Sequence, residues 1–277
     1  ALTRRADAGE RAGGCSLAAE WQYCHVVRYN VQATERMLDV GAMEAQLKYF
    51  PEGEQRERAR ASALKSLERT KQSVDALMDE YAHCDGAELG DPMQAAARWR
   101  QAALNGNEAA LRQYATGNAF RRNQTLNVLP ALETYVREAE LLAWRAADAG
   151  DPHVAMALAN AYDPGNEDVG FRVYLRQTVR PDPVAALALY LRVQDSMSNG
   201  ESETPWGQAL ARSVVRLSTG LSPAQRGIAR NRARQGRPLP PGSITIANAA
   251  LTAGYVEDIG REQCEGLDKV IATPPSS

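Results

Sequence analysis

Two dipeptides mirror one another in the first third of the chain, Cys24-His25 and His83-Cys84. Thiolate and imidazole are the ligands of many tetrahedral zinc sites, so four such side chains brought together would suit a metal ion. Bringing them together requires a helical hairpin. Residues 16–50 and 54–83 carry helical patterns, and Pro51-Glu52-Gly53 supplies a turn that lays the two antiparallel, one dipeptide near the other. The difficulty is angular. Neighbouring helical residues point about 100° apart, so both members of a dipeptide do not readily face inward, and no Cys-x-x-Cys spacing compensates. A disulfide or simple packing suits the cysteines better than a metal. Counted outward from Gly53, Cys84 falls opposite a position one helical turn before Cys24, with Cys15 further off on the other side. On a helix Cys15 and Cys24 would stand roughly 13 Å apart, beyond disulfide reach. The expected bridge is Cys24–Cys84, leaving Cys15 and Cys264 to pair with each other or stay free. Thiol catalysis is disfavoured, because both hairpin cysteines lie in or at the end of apolar stripes, away from what depresses a thiol pKa.

Other reactive residues are sparse. The segment GESETPWG at 200–207 resembles the Glu-Ser of helical lytic transglycosylases, which makes Glu201 a candidate general acid on cell-wall glycan; the Gly-Leu-Met-Gln signature of those enzymes is missing downstream. The three histidines form no triad pattern with Ser and Asp, and no phosphate-binding glycine loop is present. The arginines of QRGIARNRARQGR offer something else. Arg226, Arg230, Arg234 and Arg237 follow helical spacing and could meet an acidic partner, against the plainer reading of a solvated face at a helix C-terminus. Trp206, in a variable stretch, is a candidate partner anchor.

The elements that would carry these residues are helices. Hydrophobic residues make up 44% of the 277 but aromatics only 6%, so alanine, leucine and valine supply the apolar content, a composition that favours helix over sheet. A formal charge of −2 argues against a nucleic-acid partner. No apolar run reaches membrane-spanning length. Four cysteines, an even number, point to an oxidising compartment, periplasmic or secreted, with a cytoplasmic chain as the alternative. Residues 1–14 read as a flexible leader and 15–90 as the helical hairpin, with Gly41 a possible break.

From residue 91 the texture changes, because DPMQAAARW at 91–99 reappears as DPVAALALY at 182–190, and AALNGNEAALRQYA at 102–115 as AADAGDPHVAMALA at 146–159. That is an internal repeat. Small residues let paired helices approach closely, glycine ends one helix, and larger residues fill the space against the next unit. Gly106 aligns with Gly150, and Trp99 with Tyr190. The run from Trp144 through AADAG, Leu158, Tyr162, Asp182 and Tyr190 resembles the Sel-one-like repeat, a helix-turn-helix unit related to tetratricopeptide repeats. The resemblance covers about 91–235, with Asn118 standing where the family has a tyrosine. It implies an all-α protein in which the hairpin leads into a short α/α solenoid over 91–236, with these residues as repeat core. Residues 237–277 would form a linker, a helix over 243–270 carrying Cys264, and a frayed end.

The implied function is a non-enzymatic scaffold or adaptor of bacterial extracytoplasmic type, engaging a protein or peptide without a cofactor. The oligomeric state stays open. The alternatives are a glycan-acting enzyme on a helical superhelix, or a metal-binding protein using Cys24, His25, His83 and Cys84.

Overall fold

The chain is described by a computed structural model over residues 2–166, 173–241 and 258–266. Its regular structure there is helical, with no strand among the described residues. The backbone divides into two compact units, residues 20–90 and the remainder.

The larger unit opens with Leu2–Asp7 (α1) and the first residues of Arg11–Leu38 (α2). The stretch expected as a flexible leader is thus helical, held where Arg98 reaches Asp7 at 2.6 Å and Ala6 is buried. It resumes with Pro92–Leu104 (α5) and Glu108–Ala115 (α6). A 3-10 turn over Arg122–Val128 leads into Leu129–Asp148 (α7) and Pro152–Tyr162 (α8). Tyr174–Thr178 (α9), Pro183–Asp195 (α10) and Asn199–Ser202 (α11) follow. Pro205–Gly220 (α12), Pro223–Ala233 (α13) and the short Arg261–Cys264 (α14) complete it. Helices neighbouring in sequence pack together from α5 to α8, and α10 packs on α8, α12 and α13.

One device starts most of the longer helices. Asp91-Pro92, Asp151-Pro152, Asp182-Pro183, Thr204-Pro205 and Ser222-Pro223 each place a side-chain acceptor before the first turn and a proline, with no N–H to leave unpaired, at its start. The ends between paired helices are also alike. Gly106 and Gly150 take φ of 85° and 99°, a left-handed conformation that costs a side-chain-bearing residue. Between these punctuation marks the core is filled by alanines with little or no exposure, such as Ala103, Ala110, Ala143, Ala159 and Ala186, around Trp99, Tyr114, Tyr135, Leu158 and Tyr190.

The C-terminal segment is docked rather than free. Asn107 Nδ2 donates to the Cys264 carbonyl at 3.0 Å, the Ile259 N–H donates to Gln113 Oε1 at 3.0 Å, and Cys15–Cys264 forms a disulfide with Cα atoms 5.5 Å apart. Residues 237–239, expected as linker, are likewise held. The Arg237 N–H donates to the Asp148 carbonyl at 3.1 Å, and Leu239 is buried. Of the helix expected over 243–270 the described part is helical only over Arg261–Cys264; residues 243–257 and 267–270 lie outside the described residues.

The smaller unit holds the rest of α2, then Val40–Leu47 (α3) and Glu54–Cys84 (α4). The helical pattern expected over 16–50 is interrupted at Asp39, and Gly41 lies inside α3. Asp competes for backbone bonds and is a poor interior helix residue, which accounts for the interruption falling there. Cys24 and Cys84 form the second disulfide, Cα atoms 5.4 Å apart.

Candidate interaction surface

The cysteine-histidine constellation resolves into a clamp. With both sulfurs in the Cys24–Cys84 bond neither is a thiolate ligand, and the histidines are occupied separately. His25 Nε2 lies 2.8 Å from the Gly90 carbonyl, and His83 Nε2 lies 2.6 Å from Glu20. Glu20, Cys24 and His83 do gather within metal-binding distance of one another, but the oxidised sulfur removes the strongest ligand of that group. Arg28 completes the clamp by donating to the carbonyls of Cys84 and Ala87 at 3.2 and 2.9 Å.

Glu201 serves its own backbone. It accepts from the Ser198 N–H at 2.7 Å while Ser198 Oγ accepts from the Glu201 N–H, a capping box that opens α11. Trp206 is not an exposed anchor. It sits in the first turn of α12 with 7% exposure, in the main core, and its indole N–H has no partner among the described residues.

Three carboxylates, one exposed (Glu140), one half-buried (Glu138) and one buried (Asp163), are committed in one recurring manner, each to the hydroxyl of a tyrosine from a core helix. Tyr114 donates to Glu138 at 2.7 Å, and Arg100 grips the same carboxylate with two bonds of 2.7 and 2.9 Å. Burial alone would raise the Glu138 pKa, but Arg100 and Tyr114 outweigh it and hold the group below its usual value. Tyr162 donates to Glu140 and accepts from Trp144 Nε1 at 2.8 Å, while Arg232 stacks over the Trp144 ring at 4.1 Å. Trp144, expected in the repeat core, is therefore half-buried at its edge. Tyr190 lies 3.1 Å from Asp163, which is fully buried and also paired with Arg216. Burial, then the neighbouring carboxylate, pushes the hydroxyls of Tyr114, Tyr162 and Tyr190 up in pKa, so they stay protonated as donors. These contacts span 22 to 27 residues of sequence, and no local motif announces them.

The arginines of α12 and α13 divide by what they touch. Arg216 and Arg232 are spent on Asp163 and Trp144, and Arg226 donates to the Ser218 and Leu221 carbonyls at 3.1 and 2.6 Å, fixing the turn between the two helices. Arg226 is thus a poor choice for a partner site. Arg230, Arg234 and Arg237 are exposed. Arg234 and Arg237 line a shallow cleft of about 250 Å³ with Arg192, Asp195, Ser196 and Leu239. Arg192 itself is buried and held by Asp148 and by the carbonyls of Ala147 and Arg237. A count of charge along the chain isolates the region: residues 204–256 hold seven arginines and no Asp, Glu or Lys.

The fold defines an all-α protein with two disulfides, and no described helix is long and apolar enough to cross a membrane. Comparison with protein-family models, curated proteins and solved structures gave no match.

Proposed function

We propose that the chain is a non-enzymatic interaction scaffold of the Sel-one-like type, working outside the cytoplasm, and that it engages an acidic protein or peptide through Arg230, Arg234 and Arg237. The observation that carries this reading is the segregation of charge. In a chain of net charge −2, a stretch of 53 residues with seven arginines and no acid is not an accident of composition. Three of those guanidiniums are exposed at or beside a cleft, and planar guanidinium pairs with carboxylate in a two-bond fork that lysine does not offer. Two disulfides fit an oxidising compartment. The commitment of Glu138, Glu140 and Asp163 to tyrosines, and of Glu201 to a helix cap, weighs against glycan hydrolysis, which uses two carboxylates flanking a substrate.

Affinity capture from the native host, run in parallel with wild type and Arg230→Gln/Arg234→Gln/Arg237→Gln, tests the reading. An acidic protein held by the wild type and lost by the variant, with binding weakened by salt, is expected. An identical captured set, or cleavage of cell-wall glycan by the purified chain, would contradict it.

A further inference from the structure

The smaller unit has almost no interior. Among its described residues only Gln22, Cys24, Val27, Leu47, Cys84 and Gly90 are buried. Its apolar cluster consists of Cys24, Val27 and Cys84, with Tyr81 and Leu89 packed against it. Yet α4 continues for 31 residues, and its apolar stripe, Tyr81 excepted, lies outside this cluster and is only half covered. Ala63, Leu67, Val74 and Leu77 recur at helical spacing and are only half-buried, while Leu64 and Met78 beside them are 48% and 47% exposed. A stripe of that width is what a helix normally turns toward a packing partner.

The charges of α4 say what the partner is. Its first 18 residues, Glu54 to Lys71, carry six basic and three acidic side chains, net +3. Its last 13, Gln72 to Cys84, carry Asp75, Asp79 and Glu80 with no Lys or Arg, net −3. The helix dipole favours acid toward the N-terminus and base toward the C-terminus, so this polarity does not serve the helix's own stability. It is self-complementary under a two-fold axis: an antiparallel second α4 sets basic half against acidic half, and a parallel one opposes like charges. Lys65, Arg69, Lys71, Asp75, Asp79 and Glu80 are all exposed, and none forms an ion pair within its own chain among the described residues. We propose that α4 is a self-association surface on which a second copy of this chain packs its own α4 antiparallel, covering the stripe from Ala63 to Tyr81.

Sedimentation velocity on the full, disulfide-intact chain from micromolar to hundreds of micromolar tests this. The wild type is expected to dimerise. Lys65→Glu/Arg69→Glu/Lys71→Glu makes both halves of α4 net acidic, and Asp75→Lys/Asp79→Lys/Glu80→Lys makes both net basic. Each alone should dimerise at least ~10-fold more weakly, since several charge pairs turn repulsive at once, while a one-to-one mixture should form a heterodimer at least as tight as the wild-type dimer. Leu64→Lys/Met78→Lys changes two side chains already in solvent and should leave the chain folded but monomeric. A wild type that stays monomeric, swapped variants that dimerise like the wild type, or a mixture that fails to pair would each overturn the proposal and leave the stripe to another occupant.

Discussion

α8 and α4 are both regular helices built for opposite circumstances. Ten of the eleven residues of α8 are buried; of the 31 in α4, only Cys84 is. α8 is Ala-rich and carries no lysine, arginine or acid, so its place is fixed by close packing and by Tyr162 reaching Glu140. α4 relies on good helix formers and surface charge, and its disulfide supplies what a core would otherwise give. The comparison separates two ways of keeping a helix in a protein. Damage at a buried ring should spread through the larger unit, whereas damage to the clamp should stay in the smaller one.

The largest effect is expected at Tyr162. Tyr162→Ala empties a site with 3% exposure and leaves Glu140 and Trp144 Nε1 without their partner, which should cost roughly 3–5 kcal/mol and lower the thermal midpoint strongly. A melt like the wild type's would mean that α7 and α8 do not meet through this ring. Next is the clamp. Cys24→Ser/Cys84→Ser should remove about 2–4 kcal/mol from the smaller unit, and hydrogen exchange should rise along α4 while α8 keeps its protection. Equal loss in both helices would erase the distinction between them.

A smaller, pH-dependent effect belongs to His153. Burial, then the nearby Arg112, lowers its pKa from 6.5 to about 4, with Asp151 opposing, and its Nδ1 is buried with no partner among the described residues. The folded chain thus refuses a proton that the unfolded chain accepts below pH 6.5. The contribution is present above that pH and should fade as pH falls toward 4, by about 3 kcal/mol in all. Denaturant titrations across this window should show the slope in the wild type and lose it in His153→Gln. The smallest effect is at the arginines: Arg230→Gln/Arg234→Gln should change stability by no more than about 0.5 kcal/mol, read as an unshifted denaturation midpoint, because both are exposed.

Helix type and helix starts were legible in the sequence because their causes are local. The Asp-Pro and Ser-Pro pairs, the glycines at 106 and 150, and the alanine spacing each act within a turn or two. The Cys24–Cys84 bridge was legible too, because a hairpin with a known turn fixes which positions face one another. What depends on distant partners was not. Nothing near Trp206 marks it as buried, nothing near Arg226 points to the carbonyls it holds, and residues 2–14 look polar and loose until Asp7 meets Arg98. The tyrosine-carboxylate pairs join residues more than 20 positions apart in the chain. The charge polarity of α4 lay open in the sequence, but its meaning depended on knowing that the stripe beside it is only half-buried.

The contrast between a helix with its own core and a helix completed from outside can be read in one experiment, hydrogen exchange on the native, disulfide-intact chain at two concentrations. Amides of α8 should exchange at the same slow rate in both, because their protection comes from within the chain. Those of α4 should exchange faster on dilution, as the second copy leaves. Protection in α4 that equals that of α8 and does not change with concentration would contradict the claim that the smaller unit lacks a core of its own.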